Sequence, residues 1–208
     1  MKLLRELLNE AQEKNLIGLK INGKLITVKT KDEKWTGDFY CSSNKLTSLT
    51  GAPTSVTGDF YCYNNELTSL TGAPASVGGD FSCYNNKLTS LTGAPASVTG
   101  DFHCYNNQLT SLTGAPTSVT GNFNCQGNKL TSLKDIHKQI KSIGETLYLS
   151  GNPIKSHVLG LLKIKRLKSV ELDNKEVEKI LNKYLPEGDL LDCQEELIDA
   201  GLDEYAQL

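Results

Sequence analysis

The side chains with the clearest capacity for chemistry in this 208-residue chain fall in register. Cys41, Cys62, Cys83, Cys104 and Cys125 recur at a constant step of 21 residues. Thiols can pair as disulfides or ligate soft metals. A disulfide, however, needs a particular approach of the two Cβ atoms, and a straight column of parallel thiols does not converge on one ion. The column reads instead as small buried side chains, since free Cys is among the most buried residue types. That usage suits a reducing compartment. Three polar columns share the same step. One is Asp38, Asp59, Asp80, Asp101 and Asn122; the next is Tyr40, Tyr61, Ser82, His103 and Asn124; the third is Ser42, Tyr63, Tyr84, Tyr105 and Gln126. Tyrosines are rigid amphipathic groups of the kind that anchor binding surfaces. A row of aspartates beside them suits a basic segment, with arginine adding cation–π contact. The plainer alternative is that each Asp bonds a nearby backbone amide and each Tyr pads the sheet. A calcium ladder along the aspartates is disfavoured, because each ion takes roughly six to eight oxygens. No metal site and no cofactor are expected.

Catalysis finds no constellation of its own. A general base needs a partner and an orienting group within hydrogen-bond reach. His103 has no nucleophile in register, and neither His137 nor His157 lies in a recognisable motif.

The elements that position these columns follow from the repeat. Gly37, Gly58, Gly79, Gly100 and Gly121 keep the step, as do Phe39, Phe60, Phe81, Phe102 and Phe123, and Asn44, Asn65, Asn86, Asn107 and Asn128. The unit reads Leu-Thr-Ser-Leu-Thr-Gly-Ala-Pro-x-Ser-Val-x-Gly-Asp-Phe-x-Cys-x-x-Asn-x. A fixed period of this length marks a solenoid. Phe60-x-Cys62 alternates like a half-buried strand, which turns Asp59, Tyr61 and Tyr63 outward. Val56, Leu67 and Leu70 fill the interior. Asn65 is expected to turn its amide onto the backbone of the next coil, and Gly-Ala-Pro to return the chain along the far side.

Phe60-x-Cys62-x-x-Asn65-x-Leu67-x-x-Leu70 resembles the leucine-rich-repeat core, with Phe and Cys in place of two leucines. The Pro74-x-x-Val77 return is similar to the short, 21-residue bacterial and phage type. The resemblance implies an α/β solenoid, a leucine-rich-repeat horseshoe with a parallel β-sheet on its concave face and helical N- and C-terminal caps. It would place Asp38, Tyr40, Asp59, Tyr61, Tyr63, Asp80, Tyr84, Asp101, His103 and Tyr105 on that concave face as a protein-binding surface. Some leucine-rich-repeat effectors carry a ligase cysteine in a Cys-x-Asp motif, but this chain reads Cys193-Gln-Glu195.

The expected organisation is an N-terminal helical cap over 1–24, a repeat array over 25–154 and a mainly helical C-terminal cap over 155–208, forming one continuous domain. Leu3, Leu4, Leu7, Leu8 and Ala11 mark one face of the first helix, and Trp35 is placed to plug the end of the core. Asp173 or Asn174 caps a helix towards Leu185, and Asp192-Cys-Gln-Glu195 opens a last one. With 22 basic and 24 acidic side chains the formal charge is −2, which argues against a general phosphate-binding surface. Lys163, Lys165, Arg166 and Lys168 alternate with Ile164 and Leu167 as a solvated face would. No run approaches the ~20 apolar residues that span a bilayer. The N-terminus lacks the unbroken apolar stretch of a signal peptide, so the expected location is cytoplasmic. The function expected is non-enzymatic: protein–protein interaction through the strand face with a partner bearing a basic segment, without nucleic acid or membrane. The resemblance sharpens this to a phage protein that inhibits a host defence factor. The alternative is a structural or accessory component of a virion or larger assembly; a homo-oligomer is not required.

Overall fold

The computed structural model describes residues 34–208, together with the backbone of Leu19–Ile21 (β1) and Lys24–Ile26 (β2), which pair antiparallel. The helical face expected at Leu3, Leu4, Leu7, Leu8 and Ala11 lies outside the described residues.

Each regular coil contributes two strands of two residues. The first set is Phe39–Tyr40 (β4), Phe60–Tyr61 (β6), Phe81–Ser82 (β8), Phe102–His103 (β10) and Phe123–Asn124 (β12). Thr146–Tyr148 (β14) and Ser169–Glu171 (β15) continue it into a seven-stranded parallel sheet. The second set is Lys34–Trp35 (β3), Ser55–Val56 (β5), Ser76–Val77 (β7), Ser97–Val98 (β9), Ser118–Val119 (β11) and Ser142–Ile143 (β13). These form a six-stranded parallel sheet on the return side.

The architecture is therefore a parallel β-solenoid, and the expected leucine-rich-repeat horseshoe is not formed. Among the described residues no concave sheet faces alternating helical turns; a second sheet stands where those turns would be. The return limb explains the difference. Gly93, at φ +95, bends the chain through the left-handed region that favours glycine. Pro95 sits just outside the strand, so its missing donor interrupts no ladder. Ser97 then faces out and Val98 in, and β-branched valine suits a pleated, half-buried surface. Backbone bonds such as Gly78 N to Val56 O (3.0 Å) and Thr120 N to Val98 O (3.0 Å) tie the limb to its neighbours.

Between the sheets lies a continuous core. Phe39, Phe60, Phe81 and Phe102 stack at centroid distances of 5.3–5.4 Å, and Trp35 meets Phe39 edge-on at 5.6 Å. The phenylalanines and the five repeat cysteines are fully buried, as are Leu67, Leu70, Leu88 and Leu91. Each such apolar side chain contributes about 1.5–3 kcal/mol by leaving water.

Buried asparagines bind the coils together. Asn65 accepts from the Asn44 and Leu46 amides (both 2.9 Å) and donates to the Cys41 and Cys62 carbonyls (both 3.0 Å). The ladder thus reaches back to the preceding coil, not on to the next. Asn64 just before it takes φ 54, and that left-handed residue swings the following side chain inward.

Two helices cover the far end. Lys175–Tyr184 (α2) follows the one-turn helix Ile136–Gln139 (α1) and is capped by Asn174, which accepts from Glu176 N and Val177 N. Asn182 and Glu178 on α2 bond the outer edge of β15: Val170 N to Asn182 Oδ1 at 2.8 Å, Asn182 Nδ2 to Val170 O at 2.9 Å and Leu172 N to Glu178 Oε2 at 2.7 Å. A sheet edge that would template further pairing is closed in this way. Leu190–Asp199 (α3) begins at the cap Asp189, one turn before the start expected at Asp192, and packs on α2. Among the described residues no helix is long and apolar enough to cross a membrane.

Candidate functional site

The outer face of the seven-stranded sheet gathers all ten residues singled out from the sequence. They lie on a sheet stacked coil on coil and not on the inside of a horseshoe. Parallel pairing in register, Phe60↔Phe81↔Phe102, sets their columns.

The aspartates do two things at once. Oδ1 of Asp38, Asp59, Asp80 and Asp101 accepts the backbone amide 21 residues on, at 2.9, 2.7, 2.7 and 2.7 Å. This is the backbone role that was the plainer alternative. Glycine makes it sterically feasible: a Cβ on Gly79 would lie 1.9 Å from Asp59 Oδ1. The second oxygen is held differently along the column. Tyr40 donates to Asp38 Oδ2 at 3.2 Å and Tyr61 to Asp59 Oδ2 at 2.6 Å. At Asp80 the corresponding residue is Ser82, and at Asp101 it is His103, whose Nε2 stands 3.8 Å from Asp101 Oδ2.

The tyrosines form one aromatic patch. Tyr63, Tyr84 and Tyr105 stack nearly parallel at centroid distances of 4.5 and 4.3 Å. Tyr40 and Tyr61 stack at 4.9 Å, Tyr61 meets Tyr63 edge-on, and His103 meets Tyr105 edge-on. Tyr40 is the most exposed at 43%. Partial burial, with Tyr105 and Tyr63 alongside, pushes the Tyr84 hydroxyl up to about 12. Burial, then the bond to Asp59, raises that of Tyr61 further.

Other candidates fall elsewhere. The repeat thiols are free and buried, and desolvation raises Cys41 to about 12. Cys193 is a buried residue of α3; burial first, then Glu196 and Asp189, raises it to about 11. His157 Nδ1 lies between the hydroxyls of Ser156 (2.8 Å) and Ser132 (3.1 Å). Ile164 and Leu167 are buried while Lys163, Lys165, Arg166 and Lys168 are exposed, and Lys168 pairs with Glu145 at 2.6 Å.

One grouping escaped the sequence reading. Asp80, Asp101 and His103 each offer a ligand atom within 4.8 Å of the others. The signal in the sequence is the pair of departures from the tyrosine column, Ser82 and His103. Its meaning depends on side chains leaning towards the residue two positions earlier, which periodicity does not reveal.

Compared with protein-family models, curated proteins and solved structures, the chain matches none of them. The leucine-rich-repeat resemblance is thus unsupported by any family match and overturned by the second parallel sheet. The phage identity and the inhibition of a host factor were drawn from that resemblance and fall with it.

Proposed function

We propose that this chain is a non-enzymatic interaction scaffold that binds a protein segment bearing basic side chains on the outer face of its larger sheet. The observation that carries the reading is the Tyr63–Tyr84–Tyr105 stack running beside the aspartate row. Stacked rings lose little side-chain entropy on binding, and their outward edges carry hydroxyl oxygens that accept hydrogen bonds from guanidinium groups. The aspartates attract the same cations. A repetitive solenoid supplies an extended surface on a stiff support. The buried free thiols favour a reducing compartment, so the proposed setting is the cytoplasm.

The test compares wild type with a Tyr63→Ala, Tyr84→Ala, Tyr105→Ala variant of unchanged circular dichroism in affinity capture, followed by titration of the purified partner. A partner held by wild type, weakened at least about tenfold in the variant and released by salt would support the reading. Equal binding by both proteins would remove it.

A further inference from the structure

We propose that Asp80, Asp101 and His103 form a binding site for one first-row divalent cation, Zn²⁺ being the best match. The site lies on the outer face of the larger sheet and does not depend on that face binding a protein.

The geometry begins with three donors on two adjacent coils. A carboxylate oxygen from each aspartate and a ring nitrogen of His103 lie within 4.8 Å of one another. Oδ1 of Asp80 and of Asp101 is engaged by the next coil's backbone amide at 2.7 Å, which holds each carboxylate in place and leaves Oδ2 as the donor. The Asn122 amide also leans on Asp101, at 3.3 Å from Oδ1 and 3.4 Å from Oδ2. It can keep the first contact when the second is given up. His103 Nε2 already faces Asp101 Oδ2 across 3.8 Å.

Ser82 supplies an independent observation. It shares the register of His103 and is only 3% exposed. In the two preceding coils a tyrosine hydroxyl covers the second oxygen of the aspartate. Serine, in register between Tyr61 and His103, is too short to do so. A cation held between the two coils would take the place of that missing donor.

The donor set selects the ion. Two carboxylates and one imidazole, with a fourth position open to water, suit Zn²⁺. Ca²⁺ takes roughly six to eight oxygens and Cu(I) prefers thiolates. Bonds of about 2.0–2.2 Å bring tetrahedral ligands to about 3.4 Å from one another. The donors must therefore close inward, by turning the His103 and Asp101 side chains, which are 27% and 31% exposed. His103 Nδ1 is buried without a partner, so the ring proton can reside there while Nε2 is given to the metal.

The experiment titrates ZnCl₂ into the full-length, tag-free chain by calorimetry and follows the histidine ring nitrogens by NMR. The expected result is one ion per chain with micromolar affinity and a large shift of His103 Nε2. His103→Tyr restores the residue present at positions 40 and 61, so it preserves the fold, and it should weaken binding at least about tenfold; Asp80→Asn should do the same. Absence of saturable binding below millimolar zinc would overturn the proposal. So would binding unchanged in His103→Tyr, or a shift confined to His137 and His157. The NMR result needs no variant.

Discussion

Asn107 shows what a single side chain must do in a fold whose strands are two residues long. It is 7% exposed, accepts from Leu88 N at 3.0 Å and donates to the carbonyls of Cys83 (3.1 Å), Cys104 (3.0 Å) and Tyr105 (3.3 Å). Cutting it to alanine strands a buried amide and releases carbonyls on two coils. A buried group left without a partner costs about 1–3 kcal/mol. Asn107→Ala should therefore lose about 3 kcal/mol in urea unfolding, and a loss within error of zero would show that the ladder is dispensable. The asparagine column was legible from the sequence because its residue type and spacing announce a backbone partner. Its direction was not, since that depends on the left-handed turn at Asn106.

At the scale of elements, the tyrosine column behaves as a unit. Stacking at 4.3–4.5 Å buries the hydroxyl-bearing rings against one another, so ionising one is opposed by burial and by its neighbours. The folded state holds Tyr84 neutral up to about 12 against an ordinary 10.0. The stability this provides is complete below pH 10 and is lost as pH rises from 10 towards 12, because the unfolded chain releases the proton first. Melting temperature should fall over that window, and less steeply in Tyr84→Phe. Parallel slopes for the two proteins would mean that the column does not carry the effect. The alternation Phe-x-Cys foretold this outward face. The two-residue Ser-Val strands escaped notice because so short a segment carries no periodicity of its own.

For the whole molecule, stability should follow the number of coils. Each coil contacts its neighbours through the same bonds, so the array behaves as a sum of repeat and interface terms. Deleting 79–99 joins Gly78 to Gly100 and keeps every column in register. Such a protein should retain its circular dichroism and unfold cooperatively at lower urea. A ten-residue deletion at the same place should abolish folding, because it turns core side chains outward. Equal tolerance of both deletions would contradict the solenoid.

The sequence by itself determined the period, the inward Phe, Cys and Leu columns, the outward Asp and Tyr columns and the asparagine ladder. All of these are encoded in residue type and near-neighbour alternation. Tertiary structure alone decided that the return limb is a second sheet, because Ser97–Val98 becomes a strand only when backbone 21 residues away on either side pairs with it. It alone also brought Asp80 beside His103. Those two side chains stand on different coils, and what places them together is the stacking distance and the lean of each side chain. Neither is written in local pattern.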